Sequence, residues 1–395
     1  MSLPKVILQK GKAKPFFSRH PWVFAGAVDR IEGDAKPGDE VELLSTVGNF
    51  VARGFLNPNS KIRVRLYSWN ENQLLDESFF GNRLEKAIQL RESLGLMAPE
   101  GGCRLIFSEG DGLSGLSVDR YGDYLVMQVS ALGIFQRREM IAGILQKRLS
   151  PKGIFLRTDK TMAKLEGFEA LDEWIFGDSP SSNICIQEYG LQFQIHLASG
   201  QKTGYYLDQR DNRVQVAKLS RGKRLLDVFC YAGGFSLHAM NHGALATVGI
   251  DQSQQALELA ASNASLNHFS NCQWIQGEAF DEMDKLVESG EKFGVVVLDP
   301  PRFARNRNDV KDALRGYRRL HMQGLKLVED GGFLVSCCCS GAINMDMMEE
   351  LLAQVATDQK RDIQVIEKRG PSGDHPVSVS CLESHYLKCL ITRVL

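Results

Sequence analysis

The second half of the chain alternates short apolar runs with longer amphipathic segments, and few folds accommodate this pattern. The apolar runs predict strands at residues 224–229, 247–251, 272–276, 294–299, 332–338, 363–368 and 386–394. Helical periodicity predicts helices between them, at residues 235–242, 253–267, 281–288, 309–327 and 345–357. Such alternation is typical of a mostly parallel, doubly wound sheet with helices on both faces. We therefore predict an α/β domain with a seven-stranded sheet over residues 184–395.

A different pattern precedes this domain. Short strands separated by turns are predicted at residues 5–9, 23–27, 39–44, 50–55 and 62–67, a spacing that favours a small β-barrel. Helices at residues 76–94 and 135–149, with strands within 104–130 and at 153–157, indicate a compact α+β unit. A chain of 395 residues is long enough for two or three domains. We expect domains at residues 1–70, 75–180 and 184–395.

Composition limits the classes of function. No apolar run reaches the ~20 residues that a membrane span needs, and the amino terminus lacks a signal-peptide core. The nine cysteines follow neither a disulfide framework nor zinc spacing, so we expect a cytoplasmic protein with reduced thiols and no metal. The net charge is −1, yet residues 1–70 hold 11 Lys and Arg against 6 Asp and Glu. That excess suits either contact with a polyanion or a solvated basic surface.

The turn between the first strand and helix of the α/β domain predicts a nucleotide-like cofactor. It reads Leu-Leu-Asp-Val-Phe-Cys-Tyr-Ala-Gly-Gly-Phe over residues 225–235, and an acidic residue, Asp251, closes the next strand. An acid at that point can bind a ribose diol, whereas the absence of Gly-x-Gly-x-x-Gly argues against NAD and favours S-adenosylmethionine (SAM). The alternative for Asp251 and Glu278 is that they are ordinary helix N-terminal acids. The candidate cofactor residues here are Asp227, Phe229, Tyr231, Gly233, Asp251 and Glu278.

The fourth strand ends in Asp299-Pro300-Pro301. Two prolines stiffen a loop, and such a loop can position a planar base or amide, while the alternative is a rigid structural turn. We predict that Asp299 contacts both the cofactor and the substrate. Pro300, Pro301 and Arg302 are candidate substrate contacts.

The fifth strand ends in Cys337-Cys338-Cys339-Ser340-Gly341. A thiolate can add to carbon 6 of a pyrimidine and make carbon 5 nucleophilic toward a methyl donor. Strand alternation places Cys337 and Cys338 on opposite faces, and we expect both to be buried. Cys339, which leaves the strand, is the candidate nucleophile.

Two further segments carry candidate binding residues. Residues 200–210 are dense in polar and aromatic groups, and Lys202, Tyr206 and Arg210 could hold the cofactor or a nucleic acid, or form a helix cap. Arg19 and Trp22 lie in a cationic and aromatic stretch that suits RNA contact, although Trp22 could be part of the core. The segment Asp374-His375-Pro376 could form a loop over the active site.

The chain resembles the bacterial 23S rRNA 5-methylcytosine methyltransferases along essentially its whole length. The matching segments are residues 20–24, 109–113, 118–120, 202–210, 231–235, 299–303, 339–341 and 374–376. The resemblance implies an N-terminal PUA domain, a central α+β domain and a C-terminal, Rossmann-like class I SAM methyltransferase domain. It also implies SAM as cofactor and 23S rRNA or a large-subunit precursor as substrate, and it is compatible with a homodimer.

One position departs from other RNA cytosine-5 enzymes. Many of them carry a second cysteine after the proline pair, where this chain has Arg302. The group that removes the proton from carbon 5 is therefore open. So are two other functions: methylation of guanine N2 in rRNA, which needs no thiol, and a non-catalytic RNA-binding assembly factor that retains SAM.

Overall fold

A computed structural model describes residues 3–181, 183–197, 204–304 and 309–395, which divide into two units. The first unit draws on Met1–Ile186, Ile195–Gly204 and Gly373–Ser384, and the second on Gln187–Gln194, Tyr205–Ser372 and His385–Leu395. The chain therefore passes from the second unit to the first and back near its carboxyl end.

The first unit contains two sheets. The strands are β1 (Lys5–Leu8), β2 (Trp22–Phe24), β3 (Val28–Glu32), β4 (Glu40–Leu44), β5 (Phe50–Leu56), β6 (Ile62–Ser68), β7 (Gly102–Phe107), β8 (Leu116–Tyr121), β9 (Tyr124–Val129), β10 (Gly153–Thr158) and β11 (Asp172–Gly177). The helices are α1 (Lys14–Phe17), α2 (Glu77–Ser93), α3 (Leu132–Phe135), α4 (Arg138–Leu149) and α5 (Lys160–Glu166). The sheet orders are β2-β6-β5-β4-β1-β3 and β11-β10-β9-β8-β7. The domain boundaries at residues 70–75 and 180–184 stay a prediction.

Strand β3 is the element of the first sheet that the sequence pattern missed. The strand predicted at residues 23–27 ends at Phe24, a 3₁₀ turn covers Ala25–Ala27, and β3 follows. Four of the five residues of β3 are exposed. Periodicity detects a strand through its buried face, so a strand with so little burial gives no signal.

The second unit is built on a seven-stranded sheet. Its strands are β14 (Arg224–Val228), β15 (Ala246–Asp251), β16 (Cys272–Gln276), β17 (Phe293–Leu298), β18 (Val328–Cys338), β19 (Ile363–Arg369) and β20 (Lys388–Val394). Its helices are α6 (Arg210–Leu219), α7 (Gly234–Asn241), α8 (Gln254–Leu266), α9 (Ala279–Glu288), α10 (Val310–Leu327) and α11 (Met345–Gln359). The hairpin of β12 (Ile184–Glu188) and β13 (Leu191–Ile195) precedes them.

The strand order β16-β15-β14-β17-β18-β20-β19 confirms the predicted doubly wound sheet. Strands β14 to β18 pair in parallel, and β20 is antiparallel to both of its neighbours. Alternate residues of β17 belong to two separate apolar clusters, because helices cover both faces: Val296 and Leu298 lie in one, Val295 and Val297 in the other. Cys338 belongs to the first cluster and Cys337 to the second, as strand alternation predicted.

Candidate functional site

The loop after β14 has a backbone conformation that few residues tolerate. Phe229 and Tyr231 have φ angles of 67° and 48°, in the left-handed region. Gly233 follows with φ 78°, and a Cβ there would lie 2.7 Å from the ring of Trp274. Residues other than glycine are strained in the left-handed region, and such strained residues are common at binding sites.

Two carboxylates hold this loop. Asp227 is buried, and its Oδ2 accepts hydrogen bonds from the backbone N–H (3.1 Å) and hydroxyl (2.9 Å) of Ser236 at the start of α7. Burial raises the pKa of Asp227 to about 6. Its Oδ1 is buried without a hydrogen-bond partner among the described residues. Asp251 accepts from the backbone N–H groups of Tyr231 and Ser253, both at 2.9 Å, so it links the loop to the end of β15.

Glu278 caps a helix. Its exposed carboxylate accepts from the backbone N–H groups of Phe280 (2.8 Å) and Asp281 (3.3 Å) at the start of α9. This is the role that the alternative interpretation of Glu278 predicted, because orphan N–H groups at a helix start need acceptors.

A buried ion cluster lies against the same loop. Glu188 accepts from Arg213 (2.9 Å) and the hydroxyl of Tyr205 (3.2 Å), and lies 3.0 Å from His238 Nε2 and 3.8 Å from Arg210. Burial raises the pKa of Glu188, but Arg213, His238 and Arg210 outweigh it and hold the value at about 2. Arg210, which we predicted to hold cofactor or nucleic acid, therefore faces this cluster.

Arg213 connects the cluster to the glycine loop. A Cβ on Gly234 would lie 2.6 Å from Arg213 Nε, so the second glycine is needed for this close approach. The guanidinium also donates to the backbone carbonyl of Tyr206 at 2.6 Å. One buried arginine thus supports both the glycine loop and the segment that carries Tyr206.

Asp299 lies at the end of β17, next to Tyr206. Its Oδ2 accepts from Gln209 Nε2 at 3.0 Å. Burial and the neighbouring Asp208 raise the pKa of Asp299 to about 7. The ring of Tyr206 packs edge-on against that of Tyr231, with 5.3 Å between the ring centroids. Burial, and to a lesser extent the negative charge of Asp299, raise the pKa of the Tyr206 hydroxyl. The Asp-Pro-Pro loop and the glycine loop therefore meet around Tyr206.

Cys339 comes to the same place from β18. The strand ends at Cys338, and the Sγ of the half-buried Cys339 lies 4.0 Å from the carbonyl oxygen of Pro300. Cys337 and Cys338 are fully buried, as predicted. Pro301 and Arg302 are exposed beyond this contact. Lys202, the remaining candidate from the 200–210 segment, lies outside the described residues.

A buried lysine that the sequence pattern did not single out holds the cysteine turn. Lys388, opposite Cys338 in the ladder, donates to the carbonyl oxygens of Ser340 (2.5 Å) and Tyr386 (2.7 Å). Burial lowers its pKa. A single lysine at the start of an apolar strand carries no motif, and only the register of β18 with β20 reveals it.

Trp22 and Arg19, the candidates of the first unit, have different surroundings. The indole N–H of Trp22 donates to Glu109 (2.9 Å) and to the hydroxyl of Ser114 (3.2 Å), so the ring is held in place while half-buried. Arg19 is exposed and has φ 67°.

The segment Asp374-His375-Pro376 is anchored within the first unit. Asp374 accepts from the backbone N–H of Arg104 at 2.9 Å, and its carbonyl oxygen accepts from Arg91 at 2.7 Å. His375 is buried against Phe107, with 5.0 Å between ring centroids. These contacts give Asp374 and His375 a structural role within the first unit.

His20, Cys381 and Glu383 form a group of metal-ligand types. The Nε2 of His20 lies 3.5 Å from a Glu383 oxygen, and the Cys381 thiol is 3.6 Å from the same atom. The Nδ1 of His20 also accepts a hydrogen bond from the backbone N–H of Trp22 at 3.3 Å. Burial raises the pKa of Cys381 to about 12. These contacts make the three residues a hydrogen-bonded cluster.

Comparison with known proteins agrees with this geometry. A model of SAM-dependent methyltransferases matches residues 166–375, and a model of PUA-like domains matches residues 6–69. A protein of Erwinia tasmaniensis named "Ribosomal RNA large subunit methyltransferase I" is 37% identical over 99% of both chains, and one of that name from Cronobacter sakazakii is equally similar. This chain belongs to the ribosomal RNA large subunit methyltransferase I family.

The solved structures most relevant to this methyltransferase show its fold. A Streptococcus mutans protein classed provisionally as a SAM-dependent methyltransferase superposes with a TM-score of 0.84, at 19% identity, over 98% of this chain and 99% of that one. A second such structure, in complex with SAH, has a TM-score of 0.85 at 20% identity and the same coverage. The family models confirm the predicted PUA-like and methyltransferase domains and, with the curated relatives, the SAM dependence. Among its described helices, none is long and apolar enough to cross a membrane.

Proposed function

We propose that this methyltransferase forms 5-methylcytosine in the rRNA of the large ribosomal subunit. The observation that carries the proposal is the contact of 4.0 Å between Cys339 Sγ and the carbonyl oxygen of Pro300. It brings a thiol that is not fully buried to the loop that follows Asp299. The names of the curated relatives support rRNA as the substrate.

The residues around the glycine loop fit SAM. The Oδ1 of Asp227 is a buried acceptor that no donor of the described chain reaches, and an ammonium group such as that of SAM would satisfy it. Asp251, at the end of the second strand, is suited to the ribose hydroxyls. Phe229, Tyr231 and Gly233 would shape the loop around the cofactor, and Tyr206 would close it. Bound SAM supplies an electrophilic methyl group.

The chain's own residues supply the nucleophile and the proton transfers. The Cys339 thiolate adds to carbon 6 of cytosine, which makes carbon 5 nucleophilic. After methylation, the proton on carbon 5 passes to the ionised form of Asp299. The electron pair of that C–H bond re-forms the C5–C6 double bond, and the C6–S bond breaks to release the Cys339 thiolate. Asp299 orients the cytosine ring, and the pKa of its carboxyl group, about 7, suits proton exchange near neutral pH. Pro300, Pro301 and Arg302 border the position of the base.

Lys388 acts as a positioning residue in this scheme. Its two hydrogen bonds fix the turn at Ser340 and hence the direction of the Cys339 side chain. Because its ammonium group binds backbone carbonyl oxygens, Lys388 can orient Cys339 without contacting the substrate.

Methylation of unmodified 23S rRNA with SAM, followed by nucleoside mass spectrometry, tests the proposal. We expect 5-methylcytidine from the natural chain and none from Cys339→Ala, which should still bind SAM. The matched control is Cys337→Ala. The Cys337 thiol is fully buried in an apolar cluster, so this variant should retain turnover. Formation of N2-methylguanosine, or full activity of Cys339→Ala, would contradict the cysteine mechanism. SAM binding without methylation of rRNA would favour a non-catalytic assembly factor.

A further inference from the structure

A cavity of about 270 Å³ lies in the first unit, and none of its lining residues was assigned to methyl transfer. Its wall includes Arg19, which follows α1, and Arg83 of α2. Trp69, just after β6, and the hydroxyls of Ser378 and Ser380 complete the polar and aromatic lining. The volume is slightly below the ~300 Å³ at which pockets for small molecules begin, so the cavity suits a ligand about the size of one nucleotide or less.

The acidic groups of the wall are already neutralised. Both oxygens of Asp111 accept from the guanidinium of Arg91, at 2.7 and 2.9 Å. Glu109 accepts from Trp22 and Ser114 and lies 3.6 Å from Arg65. These carboxylates therefore leave little negative charge to balance further cations.

Arg19 and Arg83, by contrast, line the same cavity, and neither has a carboxylate partner within ion-pair distance in the described parts of the chain. Burial and the charge of Arg19 lower the pKa of Arg83, and no acid raises it. Arg83 makes one long hydrogen bond, 3.3 Å, to the carbonyl oxygen of Tyr67. A Cβ on Gly112 would lie 3.2 Å from its Nη1. Two guanidinium groups that line one cavity without carboxylate partners offer a site for an anion.

The backbone of Arg19 supports the same conclusion. Its φ of 67° places an arginine in the left-handed region directly after a helix, where glycine or asparagine fits without strain. Strain at such a position is typical of residues whose side chain is needed for binding.

The surroundings of the two arginines favour single-stranded RNA among the possible anions. The indole N–H of Trp69 donates to Phe16 O at 2.7 Å, which fixes an aromatic ring at the cavity. A second cavity, of about 370 Å³, shares Arg83 and is lined by Phe79, Lys86 and the side-chain amides of Asn70, Gln73 and Asn82. Alternating cations, aromatic rings and amides are the groups that bind phosphates and unstacked bases of a single strand.

We infer that this cavity binds a backbone phosphate of a single-stranded segment of the RNA substrate, with Arg19 and Arg83 on the phosphate and Trp69 beside an adjacent base. The inference rests on the proposed function for the identity of the RNA. It concerns residues of the first unit, whereas Asp299 and Cys339 belong to the second.

The test measures binding of a fluorescently labelled single-stranded RNA oligonucleotide to the full chain over a series of salt concentrations. We expect Arg19→Gln/Arg83→Gln to weaken binding at least about tenfold, because charge-assisted hydrogen bonds are lost. The slope of log K against log salt should also shrink by about 0.7, the value for one phosphate contact on a single strand. The matched control is Arg30→Gln/Lys152→Gln, which removes two exposed cations that pair with Asp29, Glu32 and Asp123.

A third variant separates binding from folding. Arg19→Gly removes the side chain and relieves the left-handed strain, so the melting temperature should rise while RNA affinity falls. Unchanged RNA affinity and salt slope in both Arg19 variants would overturn the inference. The inference would also be overturned if the double variant lost binding of inorganic phosphate, a nucleotide or an acidic peptide but still bound RNA as the natural chain does.

Methyl transfer by the same variants distinguishes this inference from the proposed function. If both hold, the double variant should raise KM for RNA and leave kcat within about twofold, since neither arginine belongs to the catalytic machinery. If RNA binding depends on the arginines but no RNA is methylated, the cavity assignment stands and the proposed function fails. If methylation proceeds with unchanged KM in the double variant, the cavity assignment is wrong.

Discussion

Replacing Gly233 with alanine should destabilise the second unit by two separable effects. The left-handed φ of 78° costs an alanine about 1–2 kcal/mol. The new Cβ would lie 2.7 Å from Trp274 and 3.3 Å from Ala260, and crowding of this kind in a packed region costs about 1–3 kcal/mol. We therefore expect the free energy of unfolding to fall by about 2–5 kcal/mol in total.

Gly222→Ala isolates the backbone effect. Gly222 has φ 68°, and a Cβ there meets no atom within 4 Å, so this variant should lose only the first 1–2 kcal/mol or so. Equilibrium urea unfolding of both variants gives the steric contribution as the difference between them. Calorimetric titration should also show weaker SAM binding for Gly233→Ala than for Gly222→Ala, because movement of Trp274 displaces the loop. Equal destabilisation of the two variants would refute the assigned contact.

Three further predictions concern charged groups of the second unit. The pKa of Asp299 is raised to about 7 from an ordinary 3.8, so the folded state holds the proton more tightly than the unfolded state. The free energy of unfolding should therefore fall as pH rises from about 4 to 7. Urea unfolding at a series of pH values should show a smaller fall for Asp299→Asn. Glu188→Gln leaves Arg213 buried without a carboxylate and should cost about 3–5 kcal/mol by the same assay, whereas a loss below 1 kcal/mol or so would show that the cluster is dispensable. Lys388→Met should lower kcat roughly 10–100-fold with unchanged Kd for SAM, because Cys339 loses its fixed direction; an unchanged kcat would contradict the positioning role.

Sequence patterns predicted the central strands of the second unit well because these strands are buried on both faces. All six residues of β17 are buried, for example, and such a run is recognisable without knowledge of its partners. The helices between the strands were also predicted, except α6. Five of the ten residues of α6 are buried, including Arg210, Asn212 and Arg213, so its buried face is partly polar and hydrophobic periodicity does not reveal it.

The environment of each candidate residue could not be predicted in the same way. Asp299 and Cys339 were found because each lies at the carboxyl end of a predicted strand. Glu188 and Lys388 act through partners far away in the sequence, and their significance depends on strand register and on burial. Glu278 shows the converse, since an acid at a helix start has the same sequence signal whether it binds a ligand or caps the helix.

The excursion of Gly373–Ser384 into the first unit has a consequence for synthesis of the protein on the ribosome. The first unit needs Asp374 to pair with the backbone of Arg104, yet its other long segment ends at Ile186. At about 5–20 residues per second, the nascent first unit waits roughly 10–40 s for that segment. In the second unit, β20 inserts between β18 and β19 and is made after the same excursion. Neither unit can finish folding by itself in order of synthesis, so a nascent chain stalled before residue 373 carries two incomplete units rather than one finished domain.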